Sequence, residues 1–179
     1  PSEIVLLIKS FYANFSCCVG GNSDTCFEVG TGVRQGCCMS SVLFNLVIDW
    51  VMRRTMEDEP RGIRWTLFTT LEDLDFADDL ALLSHTHRHM QEKTSRLNTF
   101  AQQVGLHISR TKTEVMTLNA TRATPISIEG EDLPIVESFT YLGSVVKQDG
   151  GAGSDIQSRL SKARGVFSSL SNIWKSTQY

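Results

Sequence analysis

Apolar residues recur at helical spacing in four stretches of the chain. The pattern predicts helices over residues 3–15, from Ser40 to about Met56, from about Met90 to Gly105, and from Ser154 or Asp155 onward. Ser2 is a possible N-cap of the first helix, because its hydroxyl can accept a hydrogen bond from a free backbone N–H group. Gly105 is suited to end the third helix, because glycine adopts the left-handed conformation at little cost.

Between these helices, apolar and β-branched runs bounded by turn formers predict strands. A first hairpin is expected from residues 16–19 and 25–29, and later strands are expected at 113–118, 126–128 and 139–146. The run 74–83, with the sequence LDFADDLALL, predicts two short strands joined by a tight acidic turn. We expect these strands to bury the flanks of the turn and to leave its carboxylates at the tip. The order of elements predicts an α+β fold.

The composition of the chain is that of an ordinary globular protein. It has 179 residues, of which 41% are hydrophobic and 21% charged, and a formal net charge of −3. No apolar run reaches the length needed to cross a bilayer, and no overall positive field favours a polyanionic partner. The five cysteines lack CxxC spacing, so we expect reduced thiols and an intracellular protein.

The strongest candidate chemistry lies in the acidic turn, at Asp78 and Asp79. Two adjacent carboxylates repel each other unless a cation compensates their charge. Magnesium is the natural cation, because it prefers carboxylate oxygens and keeps positions for water and phosphate oxygens. Acidic turns are common, however, and the dipeptide alone would more simply be a solvated turn.

The context of the turn favours the metal site. Four segments, in this order and spacing, resemble successive motifs of reverse transcriptases of the non-LTR retrotransposon type: GVRQGCCMSSVLFN at 32–45, FADD at 76–79, GLHISRTKTE at 105–114 and FTYLG at 139–143. Ser41 departs from this pattern, because the family usually has proline there. A viral RNA-directed RNA polymerase fits less well, since Gly-Asp-Asp would be expected in place of Ala77-Asp78-Asp79.

The resemblance implies a fold and a domain organisation. The fold would be a polymerase palm, a ferredoxin-like or RRM-like antiparallel sheet with helices on one face, followed by the start of a thumb. Residues 1–149 would form a partial reverse transcriptase palm, 150–153 a glycine-rich linker and 154–179 the first helix of the thumb. The first palm strand, which carries the third catalytic carboxylate in this family, would precede the helix at 3–15 and be absent here.

The resemblance also implies roles for particular residues. Asp78 and Asp79 would be catalytic and would bind two Mg²⁺ ions, and Lys112 would protonate the leaving pyrophosphate or stabilise its charge. The nucleotide and template would lie against four residues: Arg34, Gln35, Gly36 and Phe44. Tyr141, Leu142 and Gly143 would form the primer grip. Lys112 as a plain exposed lysine is an equally good interpretation, and for Phe44 we favour the core.

The expected function is therefore that of a fragment of an RNA-directed DNA polymerase, which transfers nucleotides to a primer 3′-hydroxyl. We expect the fragment to be inactive without the upstream carboxylate. Its partners would be an RNA template, a DNA primer and deoxynucleoside triphosphates, with a linked endonuclease in a parent protein that acts in the nucleus. The alternative is a non-catalytic, transposon-derived remnant that binds RNA or other proteins. The alternating His85, His87 and His89 do not favour zinc, since further ligands at suitable spacing are lacking.

Overall fold

A computed structural model describes residues 1–19, 26–30, 32–57, 60–118 and 124–176. The chain divides into two compact units, Pro1–Val47 and Ile48–Tyr179. The division falls inside a helix, and each unit is described by itself.

The first unit contains a helix, a two-stranded sheet and the beginning of a second helix. Its elements are α1 (Ser2–Tyr12), β1 (Ser16–Cys18), β2 (Cys26–Glu28) and the first part of α2 (Cys38–Thr55). Helix α1 ends before residue 15, and Pro1 occupies its N-cap position without a side-chain hydrogen bond, so the prediction of a Ser2 cap is wrong. The apolar side chains of Ile4, Leu7 and Phe11 are at least half exposed.

The expectation of reduced thiols is wrong for one pair of cysteines. Strands β1 and β2 pair in antiparallel register with Cys18 opposite Cys26, and a disulfide joins these two residues. Cys17, Cys37 and Cys38 are free thiols. The sequence did not indicate this bond, because only the strand register brings the two sulfurs together. The turn expected between these strands, around Gly20 to Asp24, lies outside the described residues.

In its described residues, the second unit continues helix α2 and adds four hairpins and three helices. These elements are β3 (Ile63–Arg64), β4 (Thr70–Leu71), β5 (Asp73–Phe76), β6 (Asp79–Leu82), α3 (His87–Gln103), β7 (Ser127–Ile128), β8 (Glu131–Asp132), β9 (Ser138–Tyr141), β10 (Ser144–Lys147), α4 (Gly153–Ser169) and α5 (Ser171–Trp174). The α+β class is thus confirmed. Within the described ranges the strands form separate two-stranded antiparallel sheets, not one continuous sheet.

The predicted strand at 113–118 is reduced to one bridge. Val115 pairs in parallel with Ile135, and its amide donates to the carbonyl of Pro134 at 2.9 Å. The same segment packs beside a small core of Ile126, Ile128 and Leu133. The chain here is therefore anchored by apolar packing and one bridge.

The core of the second unit lies where the apolar faces of α2 and α3 are buried. Val51 and Met52 are 1% and 5% exposed on α2, and Leu97 and Ala101 are 7% and 5% exposed on α3. The ring of Trp50 meets that of Phe100 edge-on, with centroids 6.1 Å apart. Edge-to-face geometry adds to the stabilisation that burial provides. The helical spacing of these residues had predicted both faces.

Helix α3 ends at the glycine that the sequence predicts but begins three residues before Met90, at His87. Thr86 caps the N-terminus, because its hydroxyl accepts a hydrogen bond from the His89 amide at 3.2 Å. At the other end Gly105 has φ +77°, and the Leu106 amide donates to Ala101 O at 2.9 Å. This glycine-terminated end satisfies carbonyl groups that the helix leaves without partners.

Helix α4 packs against the preceding hairpin despite the glycine-rich segment at 150–153. The Asp155 carboxylate accepts a hydrogen bond from the Val145 amide at 2.9 Å, and Arg159 bonds the Ser144 hydroxyl at 2.5 Å. Arg159 also pairs with Asp155 at 2.9 Å. The backbone amide and the arginine together lower the pKa of Asp155 against the effect of burial. The start of α4 is thus fixed to β10.

A buried lysine joins α3 to the base of the acidic hairpin. Lys93 is 3% exposed. Its ammonium group donates to the carbonyl oxygens of Leu83 and Glu72, at 2.7 Å and 3.1 Å, and to the Glu72 carboxylate. The other carboxylate oxygen of Glu72 accepts from the Gly62 amide at 2.8 Å. An ammonium has three donors, so the charge of Lys93 is fully satisfied.

This pair predicts a large loss of stability for Lys93→Met. The change leaves the half-buried Glu72 carboxylate and two backbone carbonyls without the ammonium, which costs about 1–3 kcal/mol of unfolding free energy. Urea denaturation of the chain measures the loss, with Lys147→Met on exposed β10 as the matched control. A loss no larger than that of the control would show that the pair does not hold the unit together.

The loss should also depend on pH. Burial raises the pKa of Glu72, but the hydrogen bonds from Lys93 and Gly62 outweigh it, so the pKa is lowered from 4.5. A lowered folded pKa adds stability that is full above the unfolded value and disappears as the pH falls through the folded value. The difference in unfolding free energy between the wild type and Lys93→Met should therefore become smaller as the pH falls.

Candidate active site

The acidic turn lies at the tip of the hairpin formed by β5 and β6. The register pairs Phe76 with Asp79, which leaves Ala77 and Asp78 as the two turn residues. Ala77 has φ +56°, a left-handed conformation that a two-residue hairpin turn demands of at least one residue. Asp78 is thus at the tip and Asp79 at the first position of β6.

The carboxylates at the tip are exposed. Phe76 beside them is 63% exposed, so the expectation that apolar strands bury the flanks of the turn is wrong at this position. The reason is that the described part of the chain pairs no third strand with this hairpin. Water and ligands can therefore reach Asp78 and Asp79.

Two further aspartates lie on β5 and were not among the predicted site residues. Asp73 and Asp75 are two residues apart, so they share one face of the strand. Burial raises the pKa of Asp73, and the charge of Asp75 raises it further, while Lys93 partly offsets both effects. The hairpin therefore concentrates negative charge along its length as well as at its tip. The alternation of acidic and apolar residues before Phe76 was the signal in the sequence.

The predicted primer-grip residues form a second tight turn. Leu142 and Gly143 join β9 to β10 and have φ +48° and +82°. Left-handed conformations at both central residues are typical of the type I′ turn that matches the twist of a hairpin. Leucine rarely adopts this conformation, and the Leu142 side chain is 51% exposed at the turn.

Tyr141 lies close enough to the acidic hairpin to sense its charges. Burial raises the pKa of the Tyr141 hydroxyl, and the charges of Asp79, Asp75 and Asp73 raise it further. The second unit thus brings one predicted primer-grip residue near one predicted catalytic carboxylate. Their separation of about sixty positions in the chain gave no indication of this proximity.

Lys112 lies on an exposed turn. Its backbone amide donates to Ser109 O at 3.1 Å, and the Thr113 amide donates to the same carbonyl at 3.0 Å. The neighbouring Arg110 pairs with Glu131 at 3.0 Å and with Glu129 at 3.6 Å. The turn is therefore attached to the β7–β8 hairpin, while the catalytic role of Lys112 stays a prediction.

In the first unit, Arg34 is held by aromatic residues at and just beyond the end of α1. Its guanidinium lies 4.2 Å from the ring centre of Phe15 and 5.6 Å from that of Tyr12, and donates to Phe11 O. The Nε atom is buried and has no hydrogen-bond partner within the described residues. Stacking of this kind fixes an arginine firmly. The predicted substrate loop is thus attached to its own unit through Arg34.

The other predicted residues of this loop differ in exposure. Gln35 and Gly36 are exposed, and Gly36 has φ +80°, a conformation that favours glycine. Phe44, on α2, is half-buried. The exposed amide of Gln35 is therefore open to a ligand. Phe44 lies on the apolar face of its helix and is partly buried there.

Metal binding by Asp78 and Asp79 stays a prediction. Among the described residues, no three His, Cys, Asp or Glu side chains are gathered in a way that could hold a metal. His85 accepts a hydrogen bond from the Arg64 amide at 3.2 Å, and His87 is bonded to Pro125 O at 2.8 Å. The described helices also include none that is long and apolar enough to cross a membrane.

Comparison with known proteins identifies similar sequences. A family described as "Reverse transcriptase (RNA-dependent DNA polymerase)" matches residues 1–146. The chain is 33% identical over 152 residues to a "Retrovirus-related Pol polyprotein from type-1 retrotransposable element R2" of Popillia japonica, with 83% of the chain and 23% of the relative covered. A protein of the same description from Nasonia vitripennis is 38% identical over 87 residues, 49% of the chain and 8% of the relative. The chain thus spans less than a quarter of these relatives.

The charge on the hairpin predicts that Asp73→Asn stabilises the protein at neutral pH. A carboxyl whose folded pKa is raised loses stability as the pH rises from the unfolded value through the folded one. Asparagine removes this loss. The variant should therefore be more stable than the wild type at pH 7, and the difference in stability should disappear below about pH 3.8, the ordinary pKa of Asp73. Thermal unfolding at several pH values measures it, with Asp132→Asn as the control. An unchanged or lower melting temperature at pH 7 would contradict the account.

Proposed function

The chain belongs to the reverse transcriptase family, and from that premise we propose that it forms part of the palm of an RNA-directed DNA polymerase. The observation that carries the proposal is the exposed acidic turn at the tip of β5–β6, with Asp78 and Asp79 open to ligands. The neighbouring β9–β10 hairpin, which carries Tyr141, supports it. Residues 1–149 would be palm, 150–153 linker and 154–179 the start of the thumb.

Asp78 and Asp79 would hold the catalytic magnesium ions. Exposed carboxylate oxygens on a tight turn suit Mg²⁺, which keeps part of its shell for water and phosphate oxygens. When bound, two such ions would activate a primer 3′-hydroxyl and stabilise the leaving pyrophosphate. The third carboxylate would come from the strand that the family places ahead of α1. We therefore propose that the 179 residues alone do not extend a primer.

The remaining site residues would orient the substrates. The exposed Gln35 amide would contact the template base or the incoming nucleotide, while Arg34, held by Phe15 and Tyr12, would fix the loop that presents it. The turn of Leu142 and Gly143 would press on the primer backbone, since glycine permits close approach. Lys112 would neutralise charge on the departing pyrophosphate, and Phe44 would support the nucleotide from α2.

The partners follow from the same proposal. They would be an RNA template, a DNA primer and deoxynucleoside triphosphates. Because the matched relatives are retrotransposon polyproteins of much greater length, we propose a linked endonuclease in the parent protein and action in the nucleus.

The proposal predicts that Asp78→Asn abolishes DNA synthesis. The test uses a polypeptide that extends this chain upstream through the strand with the third carboxylate, and measures Mg²⁺-dependent primer extension on an RNA template. Loss of one ligand to the ions should lower kcat by about 10²–10³-fold or more, because metal stabilisation of the transition state amounts to several kcal/mol. Asp49→Asn removes an exposed charge on α2, one that pairs with Arg53 at 3.0 Å, and should leave the rate unchanged.

Three outcomes decide the matter. Retained synthesis in Asp78→Asn would rule out the acidic turn as the metal site. An extended wild type that binds template but makes no DNA would favour the non-catalytic, RNA-binding alternative. Extension by the 179-residue chain itself would contradict the need for an upstream carboxylate.

A further inference from the structure

The acidic hairpin has little support except at its base. Strands β5 and β6 have four residues each, and the described residues pair no third strand with them. An isolated two-stranded hairpin is only marginally stable in water. The direction in which it points must therefore be set by contacts with other elements, and the hydrogen bonds among these lie at the end opposite the turn, roughly 13 Å from the tip.

Those contacts converge on Lys93. Glu72 and Leu83 are the residues next to the last paired positions of the hairpin, and the Leu83 amide donates to Glu72 O at 2.8 Å. The Lys93 ammonium bonds the backbone carbonyls of both, so one group on α3 holds the two strands together. Its third bond, to the Glu72 carboxylate, neutralises the charge.

Gly62 completes this arrangement from the other side. Its amide donates to Glu72, and a Cβ atom at this position would lie 2.0 Å from Leu71 O, closer than any side chain permits. The backbone before β3 can therefore approach the Glu72 carboxylate only because residue 62 is glycine. The carboxylate is bonded on both oxygens, and its orientation is determined by two separate segments.

We propose that Lys93 is a positioning residue for the catalytic turn: with Glu72 it fixes the angle and register of the β5–β6 hairpin, and so the place of Asp78 and Asp79. This inference rests on the proposed function. Lys93 acts through the backbone of the hairpin and does not touch substrate. A displacement of about 1 Å at reacting groups can lower a rate about 10²-fold. Loss of the contacts at the base of the hairpin would therefore lower the rate by displacing Asp78 and Asp79.

Stability and positioning can be separated experimentally. Replacing a buried ion pair by apolar residues of similar volume is often neutral for stability, whereas removing one partner is not. The double variant Glu72→Leu/Lys93→Met leaves no unpaired charge, so it should lose less stability in urea than Lys93→Met alone. It lacks the ammonium that joins the carbonyls of Glu72 and Leu83, so the hairpin is no longer held at a defined angle.

The test is primer extension by the upstream-extended polypeptide. In the double variant we expect kcat to fall by about 10–100-fold and the Mg²⁺ concentration for half-maximal rate to rise. The KM for deoxynucleotide and the affinity for the template should not change. The control Arg88→Gln removes an exposed ion pair of α3, the one with Glu92 at 2.9 Å, and should keep the wild-type kcat.

An independent measurement covers the case in which the double variant is less stable than expected. Hydrogen exchange of the 179-residue chain should be faster at the amides of β5 and β6 and unchanged in α2 and the C-terminal half of α3. Equal acceleration everywhere would mean general destabilisation and would overturn the inference, as would wild-type kcat in a folded double variant. Asp78→Asn is measured in the same assay. If Asp78→Asn keeps its activity, the proposed function is wrong. If Asp78→Asn loses activity while the double variant keeps the wild-type kcat, only the positioning role of Lys93 is wrong.

Discussion

The buried ammonium of Lys93 limits where the acidic hairpin can lie. A charge in the interior must be neutralised and hydrogen-bonded, and here the partners that satisfy it are Glu72 and the two strand ends of the hairpin. Helix α3, the backbone at Gly62 and the strands β5 and β6 are thereby brought to one point. The exposed turn at the far end depends on this fixed base, since the described residues supply no neighbouring strand to support it.

The electrostatics of the second unit follow from the same arrangement. Lys93 offsets part of the negative charge that Asp73 and Glu72 bring to the base, whereas no ion pair of the described residues includes Asp75, Asp78 or Asp79 nearer the tip. The hairpin is thus neutralised at one end and left negative at the other. Such a gradient suits a site that is completed by a divalent cation. Burial raises the pKa of Tyr141 on the β9–β10 hairpin, and the charges of Asp79, Asp75 and Asp73 add to this rise.

Much of this could be predicted from the sequence, and the exceptions have physical reasons. Helix α3 followed from its apolar spacing and Gly105, and the acidic turn followed from the residues around it. Lys93 was missed because lysine is rarely buried. Its position three residues after Met90 and four before Leu97 was the available signal, since it falls on the apolar face. The Cys18–Cys26 bond and the aromatic contacts of Arg34 depend on tertiary register, which local patterns do not contain.

If the tip of β5–β6 is the metal site, a divalent cation should bind there and not at the base of the hairpin, where Lys93 already pairs with Glu72. The most direct test is paramagnetic line broadening by Mn²⁺ in the NMR spectrum of the isotopically labelled chain. We predict that broadening is strongest at the amides of Asp78 and Asp79 and weakens along both strands toward Glu72. Broadening centred instead on His85 to His89, or spread evenly over exposed carboxylates, would contradict the account.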